Sequence, residues 1–226
     1  MQMMTRYAVY FAPRESAFSR HAAAWLGRNS ETGEALPQPA LAGIGDPHAM
    51  TAEPRRYGFH GTIRAPFRAK PAVTETTIRN RLAELAARLA PVTCHGLQLE
   101  ILDGFLALTP LGCEAALMDL AATVVEGTDD LRAPLTGAEI ARRRPERLSA
   151  RQRALLDRWG YPFVMEEFRF HLTLTDRLAE PGPVRVALAA HFAPVLPRPF
   201  RIEDLCLFGE DATGCFRLLH RYALAG

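Results

Sequence analysis

Two short segments of this 226-residue chain hold the side chains best suited to acid-base chemistry, His60-Gly61-Thr62 and His171-Leu172-Thr173. On a β-strand, residues i and i+2 share a face, so each segment sets an imidazole beside a hydroxyl and turns its apolar neighbours to the other side. Imidazole titrates near neutrality, so one histidine can take a proton from water while a second, protonated one gives a proton to a departing oxygen. A threonine hydroxyl can donate to a non-bridging phosphate oxygen and stabilise the charge that builds in the transition state. The set suits phosphate-ester hydrolysis without a metal. An arginine would strengthen it, because a guanidinium pairs with phosphate at two points. Arg64, one step further along the same face of a regular strand, is the nearest candidate.

A lone His-x-Thr is ordinarily a half-buried histidine with its hydrogen bonds met. Here the motif occurs twice in matched surroundings. Phe59-His60-Gly61-Thr62-Ile63 and Phe170-His171-Leu172-Thr173-Leu174 agree in residue type outside the middle position, and a turn glycine follows each histidine, Gly104 after 44 positions and Gly214 after 43. Helix, strand, turn and strand follow each motif in the same order, the pattern of an internal duplication. The expected fold is therefore α+β. A bilobal, duplicated β-α-β-β body forms a single domain over 1–226, with antiparallel sheets facing a central cleft. Lobe one covers about 1–127, a helical insertion about 128–166 and lobe two about 167–226.

The elements that position the motifs follow from periodicity and punctuation. Residues 6–11 are β-formers that stop before Pro13, and 16–26 have helical apolar spacing with Gly27 as C-cap. Residues 29–55 hold three glycines and four prolines with little periodicity and read as a long, polar, flexible loop. A strand is expected over 57–67, with Tyr57 at its start a candidate substrate contact. The helix predicted over 74–89 lines up Ile78, Leu82, Leu85 and Leu89. Strands 96–102 and 105–109 form a hairpin about Asp103-Gly104, followed by a helix over 113–125. Residues 132–160 are helical and arginine-rich. Arg142, Arg143 and Arg144 are candidate phosphate contacts, although such a run is more often a solvated face. Trp159-Gly160-Tyr161-Pro162-Phe163 reads as a packed corner or a lid. A strand over 167–175, a helix over 184–192 and strands around 200–208 and 215–222 complete the chain.

Composition bounds the rest. Hydrophobic residues are 48% and charged residues 23%, enough to bury a core. A net charge of +2 does not argue for duplex nucleic acid or an anionic membrane, and Lys70 is the sole lysine. Cys94, Cys113, Cys206 and Cys215 show no CxxC spacing, and no basic-then-apolar leader is evident, so reduced thiols and a cytoplasmic location are expected. No apolar run approaches the ~18 residues a spanning helix needs, and no membrane association is expected. HExxH and comparable spacings are absent, so neither metal nor cofactor is expected. His21, His48, His95, His191 and His220 are assigned to core or surface.

These residues resemble the two-histidine (2H) phosphoesterase superfamily, whose members carry two H-x-T/S motifs in a duplicated α+β fold. The narrower resemblance is to the phosphonate-metabolism proteins found beside carbon-phosphorus lyase genes. It rests on Trp25-Leu26-Gly27-Arg28, Tyr57-Gly58-Phe59-His60-Gly61-Thr62, Arg132-Ala133-Pro134-Leu135-Thr136 and Arg158-Trp159-Gly160-Tyr161-Pro162 through Leu174. The resemblance implies an active cleft between lobes and hydrolysis of a cyclic phosphate or phosphodiester on a ribose or nucleotide. His60, Thr62, His171 and Thr173 carry it, with the two acid-base roles unassigned. The expected partner is a small, ribose-based phosphate ester. No required protein partner is evident, and RNA ending in a 2',3'-cyclic phosphate is the less favoured substrate. A binding module that keeps the cleft without the chemistry is the competing reading.

Overall fold

The computed structural model describes residues 4–226. Strand β1 (Tyr7–Phe11) leads into helix α1 (Ala17–Leu26), which is capped by the Ser16 hydroxyl and ended by Gly27 at φ 77°. The stretch read as a loop contains two short helices, α2 (Pro47–Met50) and α3 (Ala52–Tyr57). Asp46 accepts from the His48 amide and Pro47 begins α2, while Pro54 lies in the first turn of α3, where its missing N–H costs no helical bond. Tyr57 therefore ends a helix, and strand β2 begins later, at Gly61–Phe67.

Helix α4 (Glu75–Ala86) buries Ile78, Leu82 and Leu85, the predicted stripe. Strand β3 (Val92–Cys94), strand β4 (Gly96–Leu102), strand β5 (Phe105–Leu111) and helix α5 (Glu114–Thr128) follow. The β4–β5 turn is made by Asp103 and Gly104, both at positive φ. Helices α6 (Gly137–Arg142) and α7 (Ala150–Trp159) form the arginine-rich insertion. The second motif strand, β6, is only Leu172–Thr173. Helix α8 (Pro181–Phe192) and strands β7 (Phe200–Ile202), β8 (Asp204–Glu210) and β9 (Phe216–Ala223) close the chain.

All neighbouring strands pair antiparallel. Seven form one sheet in the order β4-β5-β6-β2-β1-β8-β9, so the two motif strands are adjacent at its middle, and β3 pairs with β7 in a separate two-stranded ribbon. Residues of α1, α4, α5 and α8 pack with Ile63, Leu108, Leu172 and Leu207 into one core that draws on both halves of the chain. The Trp25 indole donates to the Leu174 carbonyl at 2.8 Å, tying α1 to the second motif. A smaller cluster of Val125, Leu155 and Val164, with Trp159 and Tyr161 against it, fixes the insertion to α5. No helix among the described residues is long and apolar enough to cross a membrane.

The expectation of reduced thiols fails at Cys94 and Cys113, which form a buried disulfide with Cα atoms 5.0 Å apart. The reason is the hairpin. Gly96 pairs with Leu111 at its base, so the residues just outside that base are brought together however far apart they lie in sequence. Cys206 and Cys215 are free.

Candidate active site

The β2–β6 pairing decides the geometry of the motifs. Gly61 lies opposite Leu172, so one step outward in each direction sets His60 opposite Thr173 and Thr62 opposite His171. Directly opposed residues keep their Cβ atoms within about 5.5 Å on the same face. The two imidazoles and two hydroxyls thus form a diagonal square on one side of the sheet, while Leu172 and Ile63 enter the core on the other.

Glycine at the centre of the first motif has a steric cause. A Cβ on Gly61 would lie 2.3 Å from Cζ of Phe170, whose ring fills the space above it. Gly58, at φ 74°, is held by a different neighbour, since its Cβ would lie 2.3 Å from that of Ser30.

The imidazoles are anchored alike. His60 Nδ1 is 2.8 Å from the Gly58 carbonyl, and His171 Nδ1 is 2.8 Å from the Arg169 carbonyl. A carbonyl only accepts, so Nδ1 carries the proton in both rings and Nε2 is left for chemistry. His60 Nε2 lies 3.3 Å from the Thr62 hydroxyl. Tyr10 and Tyr57 pack beside His60 with ring centroids at 4.0 and 5.8 Å. Burial pushes the His60 pKa down to about 4, the hydrogen bond to Gly58 opposes this, and the facing charge of His171 adds to it. His171 is lowered too, again chiefly by burial, with its bond to Arg169 opposing and the Arg169 charge assisting.

A cavity of about 590 Å³ opens over this face, within the size range of small-molecule sites. His60, Thr62, Thr173, Tyr10 and Tyr57 line it, together with Arg68, Arg142, Arg143 and Tyr161. His171 is not among the lining residues. It stands beside Phe105, which does line the cavity, at 5.6 Å between ring centroids. Arg142 and Arg143 face the cavity and Arg144 does not. Arg144 takes φ 48° to start a 3-10 turn at Pro145–Arg147.

Arg64 was expected as a free phosphate ligand, and the structure corrects this. Only 3% of it is exposed, and its Nη1 donates to the Val125 carbonyl at 2.8 Å. Its Nη2 lies 3.6 Å from Asp129, and the guanidinium stacks on Phe67. Register shifts in the β1–β2 pairing mean that this strand is not regular where Arg64 pairs with Val9, and α5 supplies the carbonyl that captures the side chain. Arg64 is thus part of the cavity wall.

Sequence reasoning missed Tyr10, Phe105 and Arg6, all of which line the cavity, as does Tyr161 of the segment read as a packed corner or a lid. The alternation Ala8, Tyr10, Ala12 along β1 was a signal for Tyr10, but only once the sheet order placed β1 beside β2. No cluster of three or more metal-ligating side chains was found among the described residues.

Two curated relatives, both called ribose 1,5-bisphosphate phosphokinase PhnN, are similar to nearly the whole chain. The protein from Janthinobacterium sp. (strain Marseille) is 38% identical over 224 residues, 94% of this chain and 49% of the relative. That from Laribacter hongkongensis (strain HLHK9) is 38% identical over 222 residues, 94% of this chain and 50% of the relative. The chain spans about half the length of the curated relatives it matches. Among solved structures, TT0787 of Thermus thermophilus aligns with a TM-score of 0.48 and 17% identity over 98% of both chains. E. coli LigT complexed with 3'-AMP aligns at 0.47 and 14%, over 99% of this chain and 100% of LigT. A family model described as protein of unknown function, DUF1045, matches residues 62–217, from the threonine of the first motif through that of the second and into the last strand, and the chain belongs to that family.

Proposed function

We propose that this protein is a metal-independent phosphodiesterase that opens a cyclic phosphate on a ribose. The observation that carries the reading is the antiparallel register through Gly61 and Leu172, which makes one square of two imidazoles and two hydroxyls from motifs 111 residues apart. Water attacks phosphorus, the base takes its proton, and the acid protonates the ester oxygen that leaves. One P–O bond forms, one breaks, and the product is a phosphomonoester beside a free hydroxyl. Thr62 and Thr173 hold the non-bridging oxygens.

His60 suits the base. With its pKa near 4 it is neutral throughout the physiological range, and its unprotonated Nε2, now met by the Thr62 hydroxyl at 3.3 Å, can accept a proton once Thr62 turns to the phosphate. His171 takes the acid role on the opposite corner, where an arriving phosphate anion stabilises its protonated form.

The ribose assignment draws on the relatives' name, which places phosphorylated ribose in their chemistry. Phosphoryl transfer itself fits this chain poorly. Its single lysine lies in Ala69-Lys70-Pro71, and there is no G-x-x-x-x-G-K-[ST] loop to cradle a nucleoside triphosphate.

The test is 31P NMR of a ribose cyclic phosphate incubated with the chelator-treated protein. Conversion of the cyclic resonance to a monoester at many turnovers supports the proposal. Binding without conversion would replace it with a phosphate-ester binding module.

A further inference from the structure

The cavity is longer than one cyclic phosphate needs. Its wall follows β2 from Thr62 through Arg64 to Phe67 and on to Arg68, a path of about 20 Å at the rise of a strand. Thr62 of the first motif begins that path, and Arg68, which closes it, is bonded to Glu139 of α6.

Around Arg68 and α6 the charges do not cancel. Arg68 is spent on Glu139, with bonds of 3.0 and 2.9 Å that hold the carboxyl down to about 2. Arg132 is spent on Asp129 at 3.0 Å. Among the described residues, Arg142 and Arg143 have no carboxylate partner, and the Arg143 guanidinium is steadied by stacking on Tyr161 at 4.8 Å. Arg64, also in the wall, is not available, since its guanidinium is held by the Val125 carbonyl and by Asp129. Two arginines without a carboxylate partner, lining the same cavity as the motifs, are suited to hold a phosphate dianion.

We infer that the substrate carries a second, terminal phosphomonoester, held beside α6 by Arg142 and Arg143. This rests on the proposed phosphodiesterase reading and narrows it. The substrate is then a sugar bearing both a cyclic diester and a monoester. Because ring opening adds water and leaves the monoester untouched, the product is a sugar bisphosphate. A reaction that consumes a sugar bisphosphate must follow.

The experiment compares kcat/KM for a ribose cyclic phosphate with and without a 5-phosphate, in the wild type, Arg143→Ala and Arg142→Ala. Arg147→Ala, an exposed arginine of the same insertion that does not line the cavity, is the charge control. The expected result is a preference of 100-fold or more for the phosphorylated substrate, collapsing at least tenfold in Arg143→Ala and Arg142→Ala and persisting in Arg147→Ala. Equal use of both substrates by the wild type, or a preference unmoved by Arg143→Ala, would overturn the inference while leaving the phosphodiesterase reading intact. Titration calorimetry with ribose 5-phosphate separates the two ideas without turnover. Binding weakened at least tenfold by Arg143→Ala supports the second site even if neither cyclic substrate is opened, and wild-type affinity in that variant refutes it.

Discussion

Gly61→Ala tests how tightly the square of motif residues is built. The added methyl carbon would lie 2.3, 2.6 and 3.0 Å from three ring atoms of Phe170, at or inside the closest approach two carbons tolerate. The ring cannot swing aside freely, because Phe11 and Phe200 pack against it at centroid distances of 6.2 and 6.4 Å. Overpacking of this kind costs about 1–3 kcal/mol. At about 2–4 °C per kcal/mol for a chain of this size, the melting temperature falls by about 2–12 °C. The strain falls at the residue pair flanked by both imidazoles and both hydroxyls, so activity falls further than stability alone requires, since a displacement near 1 Å costs about 100-fold. Phe170→Leu makes room and on its own leaves a cavity, costing about 1–2 kcal/mol on the scale of large-to-small core changes. The cycle is measured by urea denaturation and by kcat on a ribose cyclic phosphate. The double variant is expected to be at least ~0.5 kcal/mol more stable than the sum of the single changes. Wild-type stability in Gly61→Ala, or additive effects in the double variant, would refute the packing argument.

Other expectations follow from single contacts. Gly58→Ala must hold φ 74° and meet Ser30, so it should lose about 1–3 kcal/mol in denaturant unfolding and also misplace the carbonyl that orients His60. His60 and His191 are both lowered to about 4, chiefly by burial, so the unfolded chain binds more protons than the native one between pH 6.5 and about 4. Stability should therefore fall as pH drops through that window, and His191→Gln should flatten the dependence measured by pH-resolved thermal melts. Reducing the Cys94–Cys113 disulfide, which spans a separation of 19 residues, should cost about 3 kcal/mol, read as a lower melting temperature in dithiothreitol.

Much of this structure was legible in local pattern. The Ile78, Leu82, Leu85 stripe, the Asp103-Gly104 turn and the Gly27 cap are set by residues close in sequence, and each formed where the pattern put it. The paired motifs were legible because duplication repeats them. Their register was not, since only the sheet order reveals that β2 and β6 are adjacent. The second motif strand was overestimated because Met165–Glu167 form a 3-10 turn and residues 168–171 belong to no ladder, leaving β6 two residues long. Residues 47–57 were hidden by prolines, which also begin helices. Arg64 misled because its fate depends on a carbonyl of α5 that no strand pattern contains. The disulfide did leave a trace. Cys94 and Cys113 each lie nine positions from the Asp103-Gly104 turn, so a hairpin in that register brings them together.

The most direct measurement of the central claim is the turnover of a ribose cyclic phosphate by chelator-treated wild type, His60→Ala, His171→Ala and the double variant, with folding of each verified by its melting curve. Acid and base acting in one step predict that each single change lowers kcat about 100-fold or more, and that the double variant is little worse than the poorer single one. Folded His60→Ala and His171→Ala proteins that both keep wild-type turnover would contradict the account.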